Sequence, residues 1–121
     1  MKRVLIIEDS AFIRQLLIEN LVELQMEIVG EGCTPDEGIA LYKTYTPDVT
    51  LIDYSLSNQT GFQLAEEILK YDIYARLILM IPHRMFYHSH DLIAMGIRAV
   101  ITKPFYPEKL QSTLIEVIED L

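Results

Sequence analysis

The apolar residues of this chain follow two alternating rhythms. Short continuous runs at Val4–Ile7, Met26–Gly30, Val49–Ile52, Leu77–Ile81 and Ala99–Thr102 have the length and β-branched content of strands buried on both faces. Between them, apolar positions recur at helical spacing. Ser10 is placed to cap a first helix, in which Phe12, Ile13, Leu16, Leu17, Asn20, Leu21 and Leu24 fall on one face. Thr34-Pro35-Asp36-Glu37 combines a capping threonine, proline at the first helical position and acids in the first turn. That second helix is predicted to reach Tyr45, and Pro47 cannot continue it. Tyr54 to Thr60 reads as a polar loop before a third helix whose apolar face is Phe62, Leu64, Ala65, Ile68 and Leu69. A fourth helix is predicted over His83–Met95, stopped at Gly96. The last, over Pro107–Leu121, carries Leu110, Leu114, Val117, Ile118 and Leu121 on one face.

One helix between successive strands implies parallel pairing, because a parallel crossover needs about a dozen residues or more. Right-handed crossovers then place helices on both sides of the sheet. The expectation is an α/β fold: a doubly wound, five-stranded parallel sheet of order 2-1-3-4-5, with the run at Met26 on an edge. The 121 residues fit one domain, 1–121. In such sheets ligands bind beyond the carboxyl ends of the strands, beside the point where strand order reverses.

Acidic residues fall at that point. Glu8 and Asp9 follow the first strand and Asp53 ends the third. Three carboxylates at one sheet edge repel one another, and a divalent cation relieves the conflict. Hard oxygen ligands with open water positions favour Mg2+. Lys103, halted before Pro104, ends the fifth strand and can reach across toward Asp53 as a compact positive charge.

The formal net charge is −8, from 18 acidic and 10 basic residues, which opposes direct contact with nucleic-acid phosphates. No apolar run reaches the roughly 20 residues needed to span a bilayer. Cys33 is the only cysteine, so no internal disulfide can form, and a reducing, cytoplasmic setting is expected. His83, His88 and His90 match no ligand spacing and read as surface residues. Met80, Met85 and Met95, like Tyr42 and Tyr45, read as packing residues or surface.

Ile6-Ile7-Glu8-Asp9-Ser10, Asp48-Val49-Thr50-Leu51-Ile52-Asp53, Gly61 and Lys103-Pro104-Phe105 stand in order at the spacing found in response-regulator receiver domains. The whole chain resembles that two-component family. Asp9-Ser10-Ala11-Phe12-Ile13-Arg14 looks closest to its chemotaxis-type, single-domain members. The resemblance implies a phosphoacceptor at Asp53. It implies Mg2+ on Asp9, Asp53 and the backbone carbonyl of Ser55, with Glu8 acting mostly through water. It further implies that Lys103 and the backbone amide of His83 contact the phosphoryl group. A histidine kinase or histidine phosphotransfer protein would be the donor, docking on the first helix at Phe12, Ile13 and Arg14. A downstream effector or a fused output domain would read the result. The surface of the fourth helix, fifth strand and fifth helix would serve output or homodimer contact. The domain would signal and not act as an enzyme beyond its own phosphorylation and dephosphorylation. Whether it is free-standing or excised from a longer chain is left open by the sequence.

The chain departs from the family pattern in three places. Pro82 occupies the position of the usual hydroxyl residue and has neither a hydroxyl nor an N–H. A bulky His83 follows it and would crowd the site. Val100 stands where a switch aromatic is common, and Leu56-Ser57 where Met-Pro is common. The expectation is therefore a phosphorylated receiver whose surface change takes another route; the alternative is a pseudo-receiver, a constitutive protein-interaction module without phosphorylation-driven switching. Flavin or nucleotide binding by the same fold finds no glycine-rich loop after the first strand to support it.

Overall fold

A computed structural model describes residues 1–56 and 60–119. Strands β1 (Arg3–Ile7), β2 (Glu27–Gly32), β3 (Val49–Asp53), β4 (Leu77–Pro82) and β5 (Ala99–Lys103) alternate with helices α1 (Ala11–Glu23), α2 (Pro35–Tyr45), α3 (Gly61–Tyr71), α4 (Ser89–Met95) and α5 (Pro107–Glu119). All four strand pairings are parallel, and the order is β2-β1-β3-β4-β5, as the alternation predicts.

The two-residue period of a strand explains how continuous apolar runs serve this sheet. Leu5, Ile7, Ile52, Leu77, Leu79 and Ile81 point to one side, against Leu64, Ala65 and Ile68 of α3 and Leu92 of α4. Val4, Ile6, Val49, Leu51, Ile78, Met80 and Ile101 point to the other, against Leu17 and Leu21 of α1 and Leu110, Leu114 and Val117 of α5. Strand β2 is one edge of the sheet, and its exposed positions are the charged Glu27 and Glu31.

The helix starts behave as capping chemistry requires. Ser10, Thr34 and Thr60 each accept a backbone N–H through the side-chain oxygen. Tyr42 is buried, and its hydroxyl donates to Asp72 Oδ2 at 2.7 Å. Met80 is buried, while Met85 and Met95 pack against the core from partly buried positions.

One expectation needs correction. The segment His83–Met95 is not one α-helix: His83–His88 forms a 3-10 helix, and α4 begins only at Ser89. None of those six residues is fully buried, Met85 alone packs against the core from among them, and neither segment has a side-chain cap, so little holds the stretch to an α pitch. The extended conformation of Pro82 (φ −60°, ψ 144°) sets the turn immediately before them. Phe12, part of the helical spacing of α1 and of the surface that the family resemblance assigns to donor docking, is 71 % exposed. Leu121, at the end of the predicted last helix, and Ser57 of the third loop lie outside the described residues. Among the described residues no helix is long and apolar enough to cross a membrane.

Candidate functional site

The reversal of strand order between β1 and β3 opens a cleft at their carboxyl ends, and the predicted acids line it. Glu8 continues β1 by one residue, its N–H donating to Gly32 O of β2 at 2.9 Å. Its side chain is fully buried, and that of Asp53 nearly so, while Asp9 is exposed. Carboxylate oxygens of the three lie within 4.8 Å of one another. Lys103 arrives from β5, with Nζ 2.6 Å from Glu8 Oε1 and 3.2 Å from Asp53 Oδ1. The sequence placed Lys103 opposite Asp53; its shorter contact, with Glu8, was not foreseen.

Backbone amides complete the arrangement. Ser10 N–H donates to Glu8 Oε2 at 3.1 Å, and Ser55 N–H to Asp53 Oδ1 at 3.2 Å. Burial pushes the Glu8 carboxyl up to about 7 from its ordinary 4.5, and the nearby Asp53 charge adds to the rise; the hydrogen bonds from Lys103 and Ser10 and the charge of Lys103 pull the other way. With all groups ionised, three carboxylates and one ammonium leave a net charge of −2, which one divalent cation balances. The all-oxygen donor set suits a hard cation. The cleft holds an open cavity of about 470 Å³, walled by the three acids together with Ser55, Pro82 and Lys103.

Gly61 owes its identity to this site. A Cβ there would overlap the carbonyl group of Asp53 and come within 2.9 Å of Ile52 Cγ2, so only glycine lets the start of α3 lie against the end of β3.

The strand-four and strand-five positions also resolve. Pro82 pairs in register with Lys103 and lines the cavity, so no hydroxyl enters it from β4. The side chain of His83 is exposed and stands outside the cavity wall, which removes the expected crowding. Val100 is half-buried and packs against the core on the α2–α3 side of the sheet. Sequence reasoning missed the inward role of Arg14: its guanidinium Nη1 donates to Glu8 O at 2.7 Å, turned away from the surface position a docking role implied. The Lys103–Pro104 peptide bond is cis, and Pro104 also borders the cavity.

Comparison with known proteins agrees with this geometry. Residues 4–115 match the response regulator receiver domain. The chain is 30 % identical to the chemotaxis protein CheY of Thermotoga maritima over 116 residues, which cover 96 % of this chain and 97 % of that protein. Among solved structures, the receiver domain of NtrX from Brucella abortus superposes with a TM-score of 0.90 at 22 % identity, covering 98 % of this chain and 99 % of that one. A CheY-like receiver domain protein from Methanospirillum hungatei gives 0.88 at 24 % identity, covering 99 % and 95 %. The two structural likenesses show the fold; the match along nearly the whole sequence shows the family. The chain belongs to the response regulator receiver domains of two-component signalling.

Proposed function

We propose that this receiver is a working phosphoacceptor: Asp53 takes a phosphoryl group from a phosphohistidine, with Mg2+, and the change is read at the surface. The observation that carries the reading is the convergence of three carboxylates and the Lys103 ammonium on one cavity. A pseudo-receiver has no need of that full set, so its retention favours phosphorylation over a constitutive interaction module.

Asp9, Asp53 and the Ser55 carbonyl would hold the magnesium. Glu8 suits an indirect role through water, because each of its oxygens already accepts from a protein donor, Lys103 or Ser10. When bound, the cation supplies positive charge against the phosphoryl oxygens. In the transfer, a carboxylate oxygen of Asp53 bonds to phosphorus as the N–P bond of the donor breaks. The electron pair returns to the imidazole, which takes a proton from solvent. Little general-base chemistry is needed, and catalysis rests on alignment and charge neutralisation. Lys103 is held ready by Glu8 to meet a phosphoryl oxygen, and the backbone N–H of His83 supplies a further donor.

Output would bypass the missing hydroxyl and aromatic. The 3-10 segment His83–His88 begins at the cavity wall and carries Phe86 and Tyr87, both well exposed, onto the surface. A donor kinase or phosphotransfer protein would dock at the start of α1, where Phe12 stands exposed. An effector, a fused output domain or a second copy would contact α4, β5 and α5. The acidic balance argues against direct nucleic-acid contact, and the setting is cytoplasmic on this reading.

Acetyl phosphate with Mg2+ tests the proposal. One phosphoryl adduct by intact mass on the wild type and none on Asp53→Asn is expected. No adduct under saturating donor would leave the pseudo-receiver as the better reading.

A further inference from the structure

We infer that Arg14 is a positioning residue for the metal ligand Asp9, acting through the Glu8–Asp9 peptide group; the inference rests on the Mg2+-dependent receiver reading. Asp9 lies between β1 and α1 and belongs to neither. The regular pairing of β1 with β2 gives out at Glu8, whose N–H makes the last bond, to Gly32 O. The next polar group along the chain is the Glu8 carbonyl, and Arg14 takes it, with Nη1 at 2.7 Å.

The guanidinium has two further neighbours, and its backbone is held in the helix. Nη1 also lies 3.3 Å from Cys33 Sγ, and Nε lies 3.6 Å from Glu31 Oε1. At its root, the Arg14 N–H donates to Ser10 O at 2.9 Å in the first turn of α1. The side chain is 21 % exposed. Arg14 thus joins α1, the end of β2 and the approach to α2 onto one carbonyl oxygen.

A peptide group is planar, so holding its oxygen also holds the nitrogen of Asp9 and the direction in which the Asp9 Cα leaves. That direction aims the one exposed carboxylate of the three. A planar, rigid fork of donors does this better than a flexible ammonium could.

Loosening Asp9 penalises Mg2+ more than Ca2+, because Mg2+ demands near-ideal octahedral geometry and Ca2+ tolerates irregular ligand sets. A purely structural role for Arg14 would not change the preference between them in a folded variant. The experiment titrates the full chain with Mg2+ and separately with Ca2+, following the amide signals of Asp9 and Ser55. Arg14→Met should weaken Mg2+ by about ten-fold or more, the usual scale for removing a residue that orients a ligand. Ca2+ should weaken by a smaller factor, and Arg14→Lys should fall between Arg14→Met and wild type. Glu31→Gln, which loosens one hold on the guanidinium but leaves the carbonyl contact in place, should weaken Mg2+ less than Arg14→Met does. Unchanged Mg2+ affinity in folded Arg14→Met, or equal loss for both ions, would overturn the inference. If Arg14→Met does not fold, Arg14→Lys decides on the same criteria. A wild type that binds no Mg2+ would remove the receiver reading first, and this inference with it.

Discussion

The ammonium of Lys103 sits closer to Glu8 than to Asp53, 2.6 Å against 3.2 Å. Glu8 is therefore the counter-ion that parks the lysine beside the acceptor, and the same carboxylate takes the Ser10 amide. One buried acid so couples the ends of β1 and β5 across β3 and β4.

That burial has a pH consequence. The Glu8 carboxyl is raised from 4.5 to about 7, so the folded chain holds its proton more tightly than the unfolded chain. Its contribution to stability is full below about pH 4.5 and is lost as the pH rises toward 7. The loss is on the order of 3 kcal/mol at most. In metal-free melts from pH 5 to 8, the wild type should lose stability over that span more than Glu8→Gln does. Mg2+ should recover more stability for the wild type at pH 8 than at pH 5. Parallel curves for the two proteins would show that Glu8 does not titrate there.

Gly61→Ala tests the contact between α3 and the acceptor strand. The added methyl meets the backbone of Asp53, which cannot yield as a flexible side chain could. A destabilisation of about 1–3 kcal/mol is expected in denaturant melts. The rate of phosphorylation should fall as well, because the overlap falls on Asp53 itself. Wild-type stability and rate would mean that the helix start shifts without cost.

Pro82→Thr restores a hydroxyl at the cavity wall. Measured as the half-life of the phosphorylated form after donor removal, the variant should hold its phosphoryl group longer than the wild type. An unchanged half-life would show that the absent hydroxyl is not what limits the phosphorylated state.

The sheet order and the meeting of Glu8, Asp9, Asp53 and Lys103 were legible in the sequence. Each residue ends or follows an apolar run, and parallel topology brings such ends together. What escaped the sequence was of shorter range. Helical spacing cannot distinguish a 3-10 from an α pitch, so His83–His88 was merged with α4. Arg14 looked like a surface charge because its partner is a backbone carbonyl, which no side-chain pattern announces. The choice of Glu8 as the nearer partner of Lys103 depends on a few tenths of an ångström and has no sequence signal.

The most direct measurement is to identify the chemical linkage. After treatment with acetyl phosphate and Mg2+, borohydride reduction converts an acyl phosphate to an alcohol, and tandem mass spectrometry locates it. Homoserine in place of Asp53 is expected, formed with Mg2+ and not in excess chelator. Reduction at another acid, at none, or equally without metal would contradict metal-dependent phosphorylation of Asp53.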